Sequence, residues 1–486
     1  MKKGTVVMMN DFSLTLSDIL KATGGKLLAR GGEWVFRGIS TDSRKILPGD
    51  FFVALKGQQH DGHDYVNAIL EKGVKGVLVQ KDLYSPARMN EINRGDCVCI
   101  GVSDSLRALG DIAHFHRKKF DIPVIAITGS NGKTSTKEMT AAILGGKFRV
   151  LSTEGNLNNE IGLPQTLFRL DGSHEQVVLE LGMNHPGEIQ RLGEICEPRI
   201  GVITNIGHSH LEGLGSVEAV KKAKGELLKT LKPSGISVLN ADDPNVLSLL
   251  PEAPGDVVLF GRSQKARIRA AGVISHGRTV SFDLILPDET IPVELPVPGE
   301  FMVHNALAAA SVGFVLGFSG LEIKKGLEAF KPVKGRMNVL TSPSGVNIVD
   351  DTYNANPASM KGAILALMDL KKKKRGAVCL GDMLELGPQA AELHETLGKL
   401  ISGMDVERLF LTGIHAEDVA KGALASGMDS DRILLGTREE ILADVIGWMK
   451  KGDWILVKGS RSTRMEYFVN HLMGHSPSGA NGKNAA

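Results

Sequence analysis

The sequence predicts an α/β protein of several domains, and three observations support this fold class. Its 486 residues exceed what one ordinary core needs and correspond to two to four domains of roughly 100–200 residues each. Short apolar strand patterns alternate with helical patterns along most of the chain, which is typical of parallel sheets covered by helices. Hydrophobic residues make up 42% and charged residues 23% of the chain, a globular rather than a disordered composition.

The first predicted unit is a small α/β domain over residues 1–102. Strands are predicted at residues 51–55 and 77–79, with a helix at 66–70 between them. A polar loop precedes these strands, in which Thr41, Asp42, Ser43 and Arg44 combine hydroxyls, a carboxylate and a guanidinium. Such a set suits a ligand that carries phosphate or uracil groups. A capped turn with a solvated arginine explains the loop equally well.

The central unit, over residues 103–331, contains a strand, a glycine turn and a helix in succession. Apolar, mostly β-branched residues at 124–127 predict a buried strand, and a helix is predicted from Thr134. Glycine turns let backbone N–H groups close around phosphate oxygens, while a helix N-terminus and a lysine add positive charge and a hydroxyl can ligate Mg²⁺. The turn is a shortened form of the usual G-x-x-x-x-G-K-[ST] pattern, and an ordinary loop with a surface lysine is the alternative. The candidate phosphate-binding residues are Gly129, Ser130, Asn131, Gly132, Lys133, Thr134 and Ser135.

Further strands of the central unit are predicted at residues 176–182, 200–205 and 236–240. Because parallel α/β sheets bind ligands at the C-terminal ends of their strands, we expect Glu180 and Asn205 near the phosphate loop. The pattern then changes to antiparallel hairpins over residues 266–298, around His276 and Gly277. The central unit is therefore predicted to be a P-loop ATPase-like domain with a mostly parallel sheet.

A third unit, over residues 332–486, repeats the alternation of strands and helices. Strands at residues 346–351, 377–382, 409–413 and 454–459 predict a second doubly wound α/β domain. The basic run at residues 371–375 is interpreted as a solvated loop rather than a nucleic-acid site. Residues 475–486 are rich in Gly, Ser and Asn and lack an apolar face, which predicts a disordered tail.

Charge and apolar patterning narrow the classes of partner. Lys and Arg number 57 and Asp and Glu 55, so the overall charge gives no argument for binding nucleic acid or an anionic membrane surface. No apolar run approaches the roughly 18 residues of a membrane span, and the N-terminus lacks the apolar core of a signal peptide. Cys97 and Cys99 have no second pair that would complete a zinc site, and buried strand cysteines in a reducing compartment are the favoured interpretation. We expect a soluble, cytoplasmic protein.

Several separated segments, from about residue 41 to residue 464, resemble the Mur ligases, which add amino acids to the peptidoglycan precursor. The resembling segments are the phosphate loop at 128–135, Gly-Asn-Leu-Asn-Asn-Glu-Ile-Gly at 155–162, Glu-Leu-Gly-Met at 180–183, His210, His-Asn-Ala-Leu-Ala-Ala-Ala at 304–310, Gly335-Arg336 and Lys-Gly-Ser-Arg at 458–461. Three more resemble the dipeptide-adding branch of that family: Asp-Asp-Thr-Tyr-Asn-Ala-Asn-Pro at 350–357, Gly-Asp-Met-Leu-Glu-Leu-Gly at 381–387 and Ala-Lys-Gly-Glu at 223–226. The Asp-Asn-Pro-Arg motif expected of the diaminopimelate-adding relative is absent.

The resemblance implies three domains and a defined reaction. The first domain would hold the UDP end of a sugar nucleotide, the central one ATP, and the third, Rossmann-like domain the incoming D-alanyl-D-alanine. The implied reaction uses ATP and Mg²⁺ to activate the carboxylate of UDP-N-acetylmuramoyl-tripeptide as an acyl phosphate, which the amine of the dipeptide then attacks. Nucleic acid and stable membrane insertion are not expected, and we expect a monomer.

The same resemblance implies roles for residues around the phosphates. Lys133 would neutralise the β- and γ-phosphates, Thr134 and Glu180 would ligate Mg²⁺, and His210 would be a further metal ligand. Because Mg²⁺ prefers oxygen, His210 is the less expected ligand on chemical grounds, and His208 is its local competitor. Lys224 matches a lysine that family members carry as a carbamate, although its surroundings alone suggest a solvated helix face.

Other implied contacts involve amide, aromatic and charged side chains. Asn305 is placed to meet the adenine, although a helix N-cap also fits its position, and Arg336 and Asp351 would meet the ribose or the phosphates. Three asparagines suit the muramoyl-peptide or, alternatively, local Asx turns: Asn156, Asn158 and Asn159. Four residues are candidates for the dipeptide side: Tyr353, Asn354, Asn356 and Arg461, the last of which could pair with a carboxylate.

Two alternative functions remain open from the sequence. One is another amide ligase of the same superfamily, either a Mur-type ligase for a different amino acid or a folylpolyglutamate synthetase-like ligase. The other is a nucleotide-dependent switch without ligation. The metal-ligand candidates Glu180 and His210 and the carboxylates of Asp350 and Asp351 argue against a switch, which has no need for ATP contacts from a second domain.

Overall fold

The structure is a computed structural model that describes residues 12–84 and 96–474. The N-terminal residues examined for a signal peptide and the predicted tail at 475–486 lie outside the described residues. Within the described ranges the chain forms mostly parallel sheets covered by helices, and the predicted α/β fold class is confirmed.

The first part of the chain forms a five-stranded sheet in the order β2-β7-β6-β5-β4, with β2 antiparallel to β7 and the other pairs parallel. The strands are β2 (Lys26–Ala29), β4 (Gly38–Ser40), β5 (Asp50–Val53), β6 (Gly76–Gln80) and β7 (Val98–Val102), and a separate pair is β1 (Leu14–Thr15) with β3 (Val35–Phe36). Helices α1 (Leu16–Thr23) and α2 (Val66–Glu71) accompany them. The predicted strands at 51–55 and 77–79 are confirmed, with ends shifted by one or two residues.

The central part forms a nine-stranded sheet in the order β16-β15-β14-β13-β12-β11-β8-β10-β9. Its parallel strands are β8 (Val124–Thr128), β9 (Val150–Ser152), β10 (Gln176–Glu180), β11 (Ile200–Ile203), β12 (Ile236–Asn240) and β13 (Asp256–Gly261). The predicted hairpins are confirmed, since β14 (Ile268–Ser275), β15 (Val280–Ile285) and β16 (Thr290–Leu295) pair antiparallel. The helices are α3 (Ser105–Arg117), α4 (Lys133–Leu144), α5 (Gly162–Leu167), α6 (Glu188–Cys196), α7 (Leu211–Leu214), α8 (Val217–Thr230), α9 (Pro244–Leu247), α10 (Met302–Val315) and α11 (Gly320–Glu328).

The last part forms a six-stranded sheet in the order β17-β18-β22-β19-β20-β21, parallel except for β17. Its strands are β17 (Asn338–Thr341), β18 (Asn347–Asp351), β19 (Gly376–Leu380), β20 (Arg408–Leu411), β21 (Ile433–Leu435) and β22 (Trp454–Lys458). Its helices are α12 (Pro357–Lys371), α13 (Ala390–Ser402), α14 (Ala416–Ala425), α15 (Arg438–Trp448) and α16 (Glu466–Leu472). This is the second doubly wound domain that the strand pattern predicts.

Burial explains why the strands read as continuous apolar runs. Every residue of β8, β10, β19 and β22 is buried, because helices cover both faces of these parallel strands. Cys97, Cys99, Cys196 and Cys379 are free and buried, as the apolar surroundings predict for the strand cysteines. Burial raises the pKa of the Cys99 thiol to about 12, which disfavours the thiolate, the form that reacts as a nucleophile.

The interpretation of residues 371–375 as a wholly solvated loop is wrong for Lys371. This residue ends α12 and is 1% exposed, with its ammonium 2.7 Å from Asp405 Oδ2 and 3.4 Å from Glu407 Oε1. The sequence pattern could not show this, because the two carboxylates lie more than thirty residues further along the chain. Among the described residues, no helix is long and apolar enough to cross a membrane.

Candidate active site

The phosphate loop joins β8 to α4 and requires glycine at two positions. Gly132 has φ +81°, and an added Cβ would lie 2.1 Å from Asn305 Oδ1. Gly129 has φ +150°, and a Cβ there would lie 1.9 Å from Thr204 Oγ1. Both the backbone conformation and the close approach of neighbouring side chains therefore exclude larger residues. Helix α4 begins at Lys133, one residue earlier than predicted.

The end of the neighbouring strand β11 holds the loop in shape. The Asn131 N–H donates to Asn205 Oδ1 at 2.8 Å, and the Ser130 N–H donates to the Asn205 carbonyl at 2.9 Å. Thr204 Oγ1 in turn donates to the Asn131 carbonyl at 2.6 Å. Asn205, which the sequence placed at a strand end, therefore acts by fixing the loop backbone.

Lys133 lies at the start of α4 with its ammonium 2.8 Å from the Gly129 carbonyl. Burial, and secondarily the charge of Arg336, lowers the pKa of Lys133, while Glu180 acts in the opposite direction. A positive side chain, free N–H groups at a helix N-terminus and a turn that only glycine can form together fit an anionic phosphate chain. The alternative of an ordinary loop with a surface lysine is not favoured by this geometry.

Glu180 ends β10 beside the phosphate loop and is 2% exposed. Its Oε2 accepts a hydrogen bond from Thr134 Oγ1 at 2.7 Å, and its Oε1 accepts one from Asn158 Nδ2 at 2.8 Å. Among the described residues no group of three or more His, Cys, Asp or Glu side chains could hold a metal by itself. Mg²⁺ is commonly bound through one or two carboxylates, water and substrate phosphates, so a carboxylate next to a hydroxyl fits this ion.

His210 has left-handed backbone geometry, φ +54°, and its Nδ1 lies 2.7 Å from Glu385 Oε2. Burial lowers the pKa of its imidazole, an effect that Glu385 partly offsets. Its competitor His208 is exposed and does not line the cavity described below, whereas His210 does. The geometry therefore favours His210.

Lys224 lies on α8 and is 1% exposed, so the interpretation as a solvated helix face is wrong. Burial, together with the charge of Lys133, holds the pKa of its ammonium well below the usual value. A lowered pKa increases the share of the neutral amine, which is the form that reacts with CO₂ to give a carbamate.

The third domain brings polar groups to the same place. Asn356 Nδ2 donates to Asn131 Oδ1 of the phosphate loop at 2.7 Å, across the gap between the two sheets. Lys458 Nζ lies 2.5 Å from Asp351 Oδ2 and donates to the Asn354 carbonyl at 2.8 Å. The bond between Asn356 and Asn131 places the segment that follows β18 against the phosphate loop.

The structure adds local contacts for Tyr353 and Asn356 and contradicts one interpretation of Asn305. The guanidinium of Arg336 lies 4.1 Å from the centre of the Tyr353 ring, and burial raises the pKa of that tyrosine. Asn305 lies inside the first turn of α10, whose cap position is Phe301, so the N-cap alternative for Asn305 is wrong. Asn356 is itself an N-cap, since its Oδ1 accepts from the Ser359 N–H at 2.9 Å.

These elements surround a cavity of about 760 Å³ between the central and third domains. The sequence-predicted residues that line it are Ser130, Asn131, Gly132, Lys133, Thr134, Ser135, Asn158, Asn159, Glu180, His210, Asn305, Arg336, Asp351, Tyr353, Asn354 and Asn356. The predicted residues outside its lining are Thr41, Asp42, Ser43, Arg44, Gly129, Asn156, Lys224 and Arg461.

Three of the predicted residues outside the cavity, Asp42, Arg44 and Arg461, have local side-chain partners. Arg44 donates to both carboxylate oxygens of Asp42, at 2.8 and 2.9 Å, which is the capped-turn arrangement. Arg461 lies 3.0 Å from Glu466 with its side chain 65% exposed. Asn159 lines the cavity and also forms an Asx turn, since its Oδ1 accepts from the Ile161 N–H at 3.2 Å.

Sequence reasoning missed several charged residues that line the cavity, among them Asp242, Glu385 and Lys458. Asp242 accepts a bond from His304 Nε2 at 2.9 Å, beside Asn305. Glu385 and Lys458 stand within quoted motifs, and Asp242 follows a strand, so motif membership and position after a strand were the available signals.

Comparisons with known proteins agree with this architecture. The Mur ligase family catalytic domain matches residues 35–117, the Mur ligase middle domain residues 127–313, and the Mur ligase glutamate ligase domain residues 335–461. The chain is 35% identical over 441 residues to a protein of Bacillus subtilis, with 90% of this chain and 93% of that protein covered. This chain belongs to the Mur ligase family.

Within the family, the chain is similar to one particular group. The Bacillus subtilis relative is named UDP-N-acetylmuramoyl-tripeptide–D-alanyl-D-alanine ligase. A crystal structure of MurF from Acinetobacter baumannii matches with a TM-score of 0.87 and 31% identity, covering 95% of this chain and 99% of that one. MurF from Thermotoga maritima in complex with ADP matches with a TM-score of 0.78 and 29% identity, covering 92% and 98%.

Proposed function

We propose that this chain is an ATP-dependent, ADP-forming ligase that joins D-alanyl-D-alanine to UDP-N-acetylmuramoyl-tripeptide. Its product would be the UDP-muramoyl-pentapeptide of peptidoglycan synthesis. The observation that carries the proposal is the single cavity in which the phosphate loop meets Asp351, Tyr353 and Asn354 of the third domain. A ligase needs this meeting because the activated carboxylate and the incoming amine must be held together.

The residues of the phosphate loop are assigned to ATP. Backbone N–H groups of residues 129–134 would surround the β- and γ-phosphates, and Lys133 would neutralise them. Asn305 and Asp242 of the central domain and Arg336 and Asp351 of the third domain line the same cavity. Asn305 would meet the adenine, and Arg336 and Asp351 would meet the ribose or the phosphates. The similarity to a MurF bound to ADP supports this assignment.

The proposed reaction has two steps, phosphoryl transfer to the carboxylate and attack of the amine on the acyl phosphate. A carboxylate oxygen of the tripeptide attacks the γ-phosphorus while the bond to the β–γ bridging oxygen breaks, giving an acyl phosphate and ADP. The neutral amine of the dipeptide then attacks the acyl carbon, phosphate leaves, and the nitrogen loses one proton. Lys133 and Arg336 both line this cavity. They would face the transferred phosphoryl group, where negative charge develops in the transition state.

Mg²⁺ is part of the proposal, and the donor set fits it. Thr134 and Glu180 would hold the ion nearer the γ-phosphate, while His210 and Lys224, as its carbamate, would serve a second ion. When bound, Mg²⁺ would neutralise charge on the phosphate oxygens. Asn158 keeps the Glu180 carboxylate in place through its 2.8 Å hydrogen bond.

The remaining substrate contacts follow the order of the domains. We propose domain boundaries near residues 102 and 331, because the three large sheets lie within residues 26–102, 124–295 and 338–458. The loop with Thr41, Asp42, Ser43 and Arg44 would hold the UDP end. Gln165 Nε2 lies 3.4 Å from Thr41 Oγ1, so this loop adjoins the helix that follows the asparagine cluster. Asn156, Asn158 and Asn159 would then contact the muramoyl-peptide.

Tyr353, Asn354, Asn356 and Arg461 are proposed for the dipeptide side. For Arg461 to act, it must leave Glu466, which its 65% exposure permits. We further propose that the enzyme acts as a monomer in the cytoplasm, where ATP is available, without nucleic acid or stable membrane insertion.

A phosphate-release assay tests the function. The purified chain is incubated with ATP, Mg²⁺ and UDP-N-acetylmuramoyl-tripeptide, with and without D-alanyl-D-alanine, and the product mass is measured. We expect phosphate release and pentapeptide only when the dipeptide is present. Turnover that ignores the dipeptide but requires a single amino acid would indicate another Mur-type or folylpolyglutamate synthetase-like ligase. Hydrolysis that needs no acceptor would indicate a nucleotide switch.

A further inference from the structure

Residues 381–387 of the third domain form a loop, here called the 381–387 loop, to which the proposed function gives no role. The loop follows β19, and hydrogen bonds to other residues of the third domain hold it in place. The Leu384 N–H donates to Ser460 Oγ at 2.8 Å, and the Met383 N–H donates to His394 Nε2 at 2.9 Å. The Ser460 N–H donates back to the Asp382 carbonyl at 2.9 Å. These three hydrogen bonds attach the 381–387 loop to the third domain.

The loop reaches the central domain through Glu385. Its Oε2 lies 2.7 Å from His210 Nδ1, and its carbonyl accepts a hydrogen bond from the Glu212 N–H at 3.0 Å. One side chain and one backbone group thus bind consecutive parts of the segment that starts α7. His210 and Glu212 precede Glu385 by more than 170 positions in the chain, so these two contacts form only when the two domains approach each other.

Both residues of this contact adopt left-handed backbone geometry, with φ +54° at His210 and φ +62° at Glu385. This conformation is unfavourable for residues other than glycine and persists where the surrounding structure stabilises it. Here it occurs on both sides of one contact between domains, at the edge of the reaction cavity, which both residues line. Strained residues of this kind cluster at sites where geometry matters for function.

The contact affects the tautomer and the orientation of the His210 imidazole. A carboxylate at Nδ1 favours the tautomer with the proton on that nitrogen and leaves the lone pair on Nε2. It also restricts rotation of the ring. Since the carboxylate comes from the third domain, this orientation exists only while that domain rests on the central one.

We propose that Glu385 is a positioning residue that latches the third domain onto the central domain and orients His210 in the reaction cavity. The inference rests on the proposed function for the role of His210, but the latch itself is a property of domain closure. The Glu385 side chain is 48% exposed, so water competes for the contact and the latch is weak enough to release. A latch that opens easily suits an enzyme that must admit and release large substrates in each cycle.

The test compares Glu385→Ala and Glu385→Gln with Glu417→Ala, a matched control on an exposed carboxylate of the same domain. Small-angle scattering of the full chain, with ADP and Mg²⁺ added, measures closure independently of turnover. We expect Glu385→Ala to increase the radius of gyration and to lower kcat about 10- to 100-fold with little change in the KM for ATP. Glu385→Gln keeps the size and a polar oxygen of the side chain but removes its charge, so it should lose less than Glu385→Ala, while Glu417→Ala should behave as the unmodified chain does.

A double-mutant cycle with His210→Ala separates positioning from a general loss of structure. If Glu385 acts through His210, the double variant should be no slower than His210→Ala alone. If the losses of kcat in the two single variants multiply in the double variant, the positioning role is overturned. If Glu385→Ala has the same radius of gyration as the unmodified chain, the latch is overturned. If the unmodified chain fails to join the dipeptide, the proposed function fails, whereas the scattering comparison still decides the latch. Should Glu385→Ala not fold, the Glu385→Gln variant carries the same comparison.

Discussion

Replacing Thr134 by valine is expected to impair catalysis by removing one hydroxyl from the buried carboxylate of Glu180. Thr134 is 5% exposed and Glu180 is 2% exposed, so water cannot take the place of the lost donor without rearrangement. Valine has nearly the same shape as threonine, so the volume at the start of α4 is retained. After the substitution, the Glu180 side chain keeps one described hydrogen bond, from Asn158 at 2.8 Å.

The size of the effect follows from the chemistry of that bond. Hydrogen bonds to charged groups contribute about 1.5–3 kcal/mol. Each 1.36 kcal/mol corresponds to a tenfold change in rate, so kcat/KM should fall about 10- to 150-fold. The loss applies whether the hydroxyl holds Glu180 directly, as at 2.7 Å in this structure, or shares an ion with it.

The assay is phosphate release under kcat/KM conditions for ATP, with two controls. Thr134→Ser retains the hydroxyl and should keep most of the activity. Thr136→Val is the matched control, because Thr136 is a fully buried threonine of the same helix whose hydroxyl lacks a hydrogen-bond partner among the described residues. If Thr134→Val keeps kcat/KM within about twofold of the unmodified chain, or if Thr136→Val loses as much, the reasoning from this hydrogen bond is refuted.

Two other perturbations concern a histidine and a lysine whose pKa values burial lowers. Burial lowers the pKa of His116 from 6.5 to about 4, with Nε2 2.9 Å from the Leu170 carbonyl. The folded chain then binds fewer protons than the unfolded one, so this stability is complete above pH 6.5 and is lost as the pH falls towards 4, by about 3 kcal/mol in total. Urea unfolding between pH 7 and 4.5 should show a shallower loss for His116→Gln than for the unmodified chain, and equal slopes would contradict the assignment. Lys224→Ala should lose ligase activity and regain part of it with added short carboxylic acids, whereas Lys222→Ala, on the exposed side of the same helix, should retain it. Full activity of Lys224→Ala would remove the role of that lysine.

The local elements of the fold were predictable from the sequence because they depend on near neighbours. The apolar run before Gly129 predicted β8, and the change of period after residue 266 predicted the antiparallel hairpins. The shortened glycine turn was predictable for the same reason, since left-handed geometry at Gly132 depends on the residue type itself. Helix ends were less accurate, as at α4, which was predicted from Thr134 and begins at Lys133.

Burial and partners of charged side chains were not predictable in this way. Lys224 and Lys371 stand among other lysines in the sequence, yet each is 1% exposed in the structure. Their environment depends on which helix or strand packs against them, and local charge patterns contain no information about that packing. Asn305 shows the same limit, because its neighbours suggested a cap while α10 begins three residues before it.

The sequence by itself determined the class of chemistry, because a strand, a glycine turn, a lysine and a hydroxyl residue build a phosphate site within residues 124–134. The tertiary structure alone decided which side chains complete that site. Asn356 meets Asn131 across 225 positions, and Glu385 meets His210 across the gap between two sheets. The physical reason is that hydrogen bonds act over about 3 Å, whereas the residues they join are brought to that distance only by the packing of whole domains.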